Sequence, residues 1–209
     1  PIGTTKNCAN TLLKYRKDLN KEKISFAHCP ERVFPGNAIS EIKNNDRVIG
    51  GINKESTELA VNIYEKFSRG KIFKTSSNTA EMIKLSENTY RDVNIALANE
   101  LALIAENNEI DIKDVIELAN KHPRVNIHKP GIGVGGHCIP VDPYFLIEKI
   151  NHKKSIISMS REVNINQEFH ILEKILAKIL KNKDKENIYF YGLTYKANVG
   201  DFRESPALR

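Results

Sequence analysis

Residues 131–142 read GIGVGGHCIPVD, which places one thiol, Cys138, in a glycine hinge four residues before the carboxylate of Asp142. A cysteine so placed can act as a covalent nucleophile if it is exposed, near a cation and beside a positioned acid or base. Its bland alternative is a small buried hydrophobe, yet packing needs neither glycines on one side nor Pro140 to Asp142 on the other. Lys84 and Asn88 are four residues apart, so on a helix they project from one face and could present a cation and an amide donor to a single substrate oxygen, with Arg91 close by. On spacing alone they equally form a solvated polar stripe. Glu31, after Pro30, reads either as a catalytic carboxylate or as an acid at a helix N-terminus. Arg124, ahead of the hinge, could meet a substrate anion or close a helix C-terminus. Lys196 and Arg203 come after an expected strand, in turn regions, where cations meet phosphates or lie in exposed loops.

Gly131, Gly133 and Gly136 also satisfy Gly-x-Gly-x-x-Gly, but the dinucleotide fingerprint needs a buried strand before it and a helix after it. Here a polar stretch precedes the glycines, and Pro140 and Pro143 interrupt the segment on their C-terminal side. The glycines of the hinge, Gly135 and Gly136 among them, are expected instead to let backbone bend close to a bound substrate. His28 and His137 each neighbour a cysteine, but no second ligand pair is spaced for zinc, so no metal is expected.

These residues must be held by a fold that 209 residues and 40% hydrophobic content are sufficient to build. The 32 basic and 26 acidic residues leave a net charge of +6 but are interleaved, which suits anionic small molecules. With 7% aromatic content and no binding motif, nucleic acid is not an expected partner. Scattered cysteines, Cys8, Cys29 and Cys138, suit a reducing, cytoplasmic setting, and no apolar run has membrane-spanning length.

Periodicity predicts a helix over 5–19, a short buried strand over 24–29, a second over 47–52, a helix over 55–67 with Leu59, Ile63 and Phe67 inward, and a strand over 71–75. A long helix comes next over 78–107, opened by a capping box of Asn78 and Glu81 and packing through Met82, Leu85, Val93, Ala96, Leu97, Leu101 and Ile104. Further helices are expected over 112–121, opened by Asp111, over 143–150, and over 160–180 with Leu172, Ile175, Leu176, Ile179 and Leu180 inward. A charged linker over 181–186 leads to a strand over 187–191, and a helix is expected to begin after Ser205. The fold class is therefore α/β with an all-α central domain and partial Rossmann-like segments at both ends, an internal piece of a longer enzyme.

In order along the chain, CPERVFPG at 29–36, NDRVIGG at 45–51, AEMIKLSENTY at 80–90, GGHCIPVDPY at 135–144 and GLTYK at 192–196 resemble the nucleotide-sugar 6-dehydrogenases that include the UDP-glucose and GDP-mannose enzymes. The resemblance implies the C-terminal part of an NAD-binding domain over 1–76, a helical domain that makes a homodimer over 77–182, and the start of a UDP-binding domain over 183–209, with the NAD fingerprint upstream of Pro1. It implies oxidation of a UDP-sugar at C6 from alcohol to carboxylate, with NAD as cofactor. Cys138 would trap the C6 aldehyde, Lys84 and Asn88 would hold the C6 oxygen, and Asp142 and Glu31 would position or deprotonate water. Arg124, Gly135, Gly136 and Lys196 would bind the substrate and Arg203 the NAD. One departure bears on the sugar: UDP-glucose enzymes tend to carry a second glutamate four residues after Glu31, where this chain has Pro35, which makes plain UDP-glucose the less expected substrate; the resemblance as a whole implies a UDP-N-acetylhexosamine, the manno epimer ahead of the gluco.

Overall fold

Strand β2 (Arg47–Gly51) is buried along its whole length in the computed structural model, between β1 (Ala27–His28), antiparallel to it, and β3 (Ile72–Ser76), parallel to it. The structure describes residues 1–20, 24–33, 36–150, 154–181, 189–198 and 200–209, and these divide into two units, residues 1–87 and 88–209.

In the first unit, α1 (Thr4–Tyr15) precedes the sheet, α2 (Ala38–Asn44) joins β1 to β2, and α3 (Lys54–Tyr64) makes the crossover from β2 to β3. The core is Ala9, Val48, Ile49, Val61, Ala80 and Leu85. The inward face of α3 is not the expected one. Leu59, Ile63 and Phe67 are exposed, while Ser56, Thr57 and Val61 are buried. The cause is close approach: a Cβ on Gly51 would lie 2.4 Å from Thr57 N, so only small side chains fit between helix and strand. Thr57 uses that proximity, its Oγ1 accepting from Gly51 N and donating to the Asn53 carbonyl, each at 3.0 Å. Strand β1 is shorter and less buried than its apolar run suggests, α1 stops at Tyr15, and α2 was not anticipated.

Helix α4 (Ser77–Asn107) starts directly after β3 and spans about 46 Å at 1.5 Å per residue. Its expected capping box is absent. Ser76 Oγ accepts from Thr79 N at 3.2 Å, and Glu81 serves another helix, accepting from Gly3 N, Thr5 N and Thr5 Oγ1 at the start of α1. The apolar stripe expected on α4 is also turned away from where burial occurs. Met82, Leu97 and Ile104 are exposed, Leu85 and Ala96 are buried, and the remaining buried positions include Glu81, Asn88, Asp92 and Asn99, all of which find partners.

The second unit continues α4 with α5 (Ile112–Ala119), α6 (Asp142–Ile147), α7 (Ile156–Lys181) and a 3-10 turn (Pro206–Leu208), where the sequence suggested the start of a helix. Asp111 opens α5 as expected, its Oδ1 accepting from Lys113 N at 2.8 Å. On α7 the buried residues are Ser160, Arg161 and Asn164, in its N-terminal half, while Leu172, Leu176, Ile179 and Leu180, expected inward, are exposed in its C-terminal half. The charged linker at 182–186 and Pro35 lie outside the described residues. Of the strand expected over 187–191, the described part, 189–191, is exposed and carries no strand. Among the described residues no helix is long and apolar enough to cross a membrane.

Candidate active site

Within the first unit, Glu31 and Lys84 meet. Lys84 Nζ donates to the Glu31 carbonyl at 2.8 Å, and the Glu31 carboxylate folds back to accept from Arg32 N at 2.7 Å and Val33 N at 3.1 Å. Glu31 therefore lies in a loop, not at a helix N-terminus. Its second oxygen faces Arg47 at 3.8 Å, a guanidinium only 5% exposed that donates to the Ile42 carbonyl and stacks 5.1 Å from the Tyr64 ring centroid. Arg32 pairs with Glu87. Burial pushes the Cys29 thiol up, partly offset by its hydrogen bond to Tyr64 and by the charge of Arg47. A half-buried thiol with a raised pKa is a poor nucleophile.

Within the second unit, Cys138 is exposed, and its Sγ lies 2.9 Å from His137 Nδ1. The Cys138 carbonyl accepts from Val141 N at 3.1 Å and Asp142 N at 2.8 Å, a turn that seats the thiol immediately before α6. Asp142, the first residue of α6, accepts from Asn88 Nδ2 at 2.5 Å. The structure thus joins three of the expected catalytic residues: Asn88 holds the carboxylate, and that carboxylate is one turn from the thiol. One N–H of Asn88 is spent on Asp142, which leaves its second N–H as a donor. Lys84 and Asn88 lie one turn apart on α4, as their spacing requires.

Gly135 and Gly136 are needed for contacts within the chain. A Cβ on Gly135 would lie 2.6 Å from Pro206 Cδ and from Tyr195 Cβ, and Gly136, at φ +87°, packs on the Tyr195 ring. Lys196 comes directly after that tyrosine, its carbonyl accepting from Thr194 Oγ1 at 2.9 Å. Arg203 forms a two-pronged pair with Asp201 at 2.9 and 2.7 Å, which holds the Asp201 carboxyl at about 2. Arg124 is exposed in the loop after α5 and does not cap that helix; the Asn120 side chain closes the loop through both the N–H and the carbonyl of Ile127. The Asp201 carboxyl that Arg203 holds is also lowered by the charge of His137, the neighbour of Cys138.

Reading by residue type passed over a buried polar network behind this group. Arg161 NH1 donates to Asp92 Oδ1 at 2.5 Å, Asn164 donates to the same carboxylate at 2.9 Å, and the Arg161 guanidinium stacks 6.0 Å from the centroid of Tyr144 on α6. Burial raises the Asp92 carboxyl, against the pull of Arg161 and Asn164. The available signal was polar spacing: 88, 92 and 99 on α4 and 161 and 164 on α7 recur at helical intervals, a pattern equally consistent with a solvated face. Among the described residues no cluster of three His, Cys, Asp or Glu side chains is arranged to hold a metal.

Comparison with known proteins gives one family twice. Residues 1–68 match the NAD binding domain of the UDP-glucose/GDP-mannose dehydrogenase family, and residues 78–168 match its central domain. A UDP-N-acetyl-D-mannosamine dehydrogenase of Methanocaldococcus jannaschii is 55% identical over 207 residues, covering 99% of this chain and 46% of the relative. An NDP-N-acetyl-D-galactosaminuronic acid dehydrogenase of Ralstonia nicotianae is 43% identical over all of this chain and 51% of its own length. A solved structure of a UDP-D-ManNAc dehydrogenase from Pyrococcus horikoshii superposes with a TM-score of 0.89 at 44% identity, over 100% of this chain and 50% of that one. The chain thus spans about half the length of the relatives it matches.

Proposed function

The chain belongs to the UDP-glucose/GDP-mannose dehydrogenase family, and from that premise we propose that the whole protein oxidises UDP-N-acetyl-D-mannosamine at C6 to the mannosaminuronic acid. UDP-N-acetyl-D-glucosamine is the alternative substrate. What supports the reading most is an exposed Cys138 one turn before an Asp142 carboxylate that Asn88 holds. The manno sugar accords with the substrate named for the relatives, and Pro35 speaks against plain UDP-glucose.

In this reading the NAD cofactor, when bound, supplies the acceptor for two hydrides. The parallel β2–α3–β3 crossover suits a dinucleotide-binding domain, and Arg203 is the residue proposed to meet the cofactor. Lys84 and the second N–H of Asn88 hold the C6 oxygen and stabilise the charge it gains as the alcohol proton leaves. Cys138, as thiolate, adds to the C6 carbon of the aldehyde, and His137 is within reach to take the thiol proton. Loss of the second hydride from that adduct leaves a thioester, which retains the sugar until water replaces sulfur. Asp142 and Glu31 orient that water or accept its proton. Arg124, Lys196, Gly135 and Gly136 are assigned to the UDP-sugar.

The domain division proposed is 1–76, 77–182 and 183–209, with a homodimer through the helical part. A cytoplasmic setting keeps the three thiols, none of them in a disulfide, reduced. The test is NADH released per UDP-N-acetylmannosamine consumed by the full-length protein, with the product identified by mass. Two NADH and a uronic acid are expected. Faster turnover of UDP-N-acetylglucosamine or of UDP-glucose overturns the substrate, and one NADH with a released aldehyde overturns the thioester.

A further inference from the structure

The hinge that carries Cys138 is held at its entrance by a buried amide to which the mechanism above gives no part. Asn99 is 1% exposed on a stretch of α4 whose other buried residues are Ala96, Ala98 and Ala105. Its Oδ1 accepts from Gly131 N at 2.9 Å, and its Nδ2 donates to Asn164 Oδ1 at 3.0 Å. Asn164, also 1% exposed, donates in turn to the Asp92 carbonyl and carboxylate. From α7, Gln167 donates to the Gly131 carbonyl at 3.1 Å. Two residues on, Gly133 has φ +126°, and a Cβ there would come within 2.7 Å of Glu168 Cγ and 3.2 Å of the Asn164 carbonyl. The exit of the hinge is anchored separately, by the Cys138 carbonyl at the start of α6 and by the bond from Asn88 to Asp142.

A buried amide among alanines costs more than an apolar side chain unless both its ends are paired, and here one end is paired to a backbone N–H of the hinge. We propose that Asn99 is a positioning residue: through Gly131 it sets where the hinge presents the Cys138 thiol to the C6 carbon. This rests on the reading of Cys138 as nucleophile. In that reading the first oxidation moves a hydride from the C6 alcohol to NAD and releases a proton, without the thiol. The second forms the C–S bond, passes a hydride from the adduct to a second NAD with loss of the oxygen's proton, and ends when water displaces sulfur. Displacement of about 1 Å costs about 100-fold in rate, so a displaced hinge slows the second half and spares the first. A general loss of folding lowers both together.

The experiment is rapid mixing of the full-length enzyme with UDP-N-acetylmannosamine and NAD, reading the first NADH per site and then the steady state. Asn99→Leu, similar in size and apolar, is expected to form the first NADH within about twofold of the wild-type rate, then to turn over about tenfold more slowly with KM within about twofold. Gln167→Ala removes a half-exposed contact to the same glycine, should give the same pattern at about threefold, and decides the matter if Asn99→Leu does not fold. Equal losses in both phases, or a steady state within about twofold of wild type in the folded variants, overturn the proposal. Cys138→Ser is measured alongside. If serine supports both hydrides at wild-type rates, the nucleophile reading fails and this inference with it. If serine loses only the second hydride while Asn99→Leu and Gln167→Ala match wild type, the reading stands and this inference alone falls.

Discussion

Cys138 and Cys29 are the same residue type in different surroundings. Both neighbour a histidine, but Cys29 is half-buried with its thiol pushed up, and Cys138 is exposed beside His137 Nδ1. Replacing Cys138 by Ser in the full-length enzyme is expected to abolish acid formation with substrate affinity retained, as measured by product mass and by equilibrium binding. For Lys84→Ala the expected loss falls on kcat, by about 10²- to 10³-fold, because the cation is needed most when the C6 oxygen gains charge. A rise in KM at unchanged kcat would assign Lys84 to ground-state binding. The glycines around Cys138 and the proline after it were legible as a loop from residue type alone, and the structure carries no helix or strand there before α6. What Asn88 does was not, since its partner Asp142 is 54 residues away and spacing cannot show which of two roles an amide takes.

Helices α4 and α7 were legible as elements, but their expected apolar positions are largely exposed, Leu85 and Ala96 excepted. Aliphatic spacing pointed to Leu97 and Ile104, and to Leu172 and Leu176, whereas burial tracks Asn88, Asp92 and Asn99 on α4 and Arg161 and Asn164 on α7. A pattern that counts polar residues as surface cannot find a core in which buried polar side chains pair with one another, as Asp92 Oδ1 does with Arg161 and Asn164. The consequence is measurable on the pair Asp92 and Arg161, respectively 0% and 6% exposed. Arg161→Met is expected to destabilise by about 3–5 kcal/mol because it leaves the buried Asp92 carboxylate without its counter-charge, with only Asn164 donating to it. The double variant Asp92→Leu with Arg161→Met should recover much of that loss in a denaturant double-mutant cycle. Glu81 gives a pH-dependent counterpart in the first unit. Burial acts to raise its carboxyl, but the hydrogen bonds from Thr5 and Gly3 and the charge of His28 outweigh it and lower the pKa. A lowered folded pKa means stabilisation that is full above the ordinary glutamate value and is lost as pH falls through the folded one. Glu81→Ala should therefore cost about 1–3 kcal/mol near neutrality, with the difference from wild type vanishing in acid, read from urea melts across that range.

At the scale of the whole molecule, Leu97 and Ile104 on α4 and Phe169, Leu172 and Leu176 on α7 are apolar side chains left exposed within this chain. With a homodimer proposed through the helical part, sedimentation of the full-length protein should give twice the chain mass, and Leu172→Lys with Leu176→Lys should lower it toward one chain. An unchanged mass in the folded double variant would remove that face from the interface. Sequence by itself determined the family and most of the elements, α2 and the strand expected over 187–191 excepted, because those are carried by local runs such as GGHCIPVD and by periodicity along one helix at a time. Tertiary structure decided which helix faces are buried, that Glu81 caps α1, that Asp142 answers to Asn88, and that Asn99 reads the backbone of the hinge. Each of these is a pairing between residues far apart in the chain, and such a pairing is selected by the free energy of satisfying buried polar groups, a quantity that exists only once the elements have packed.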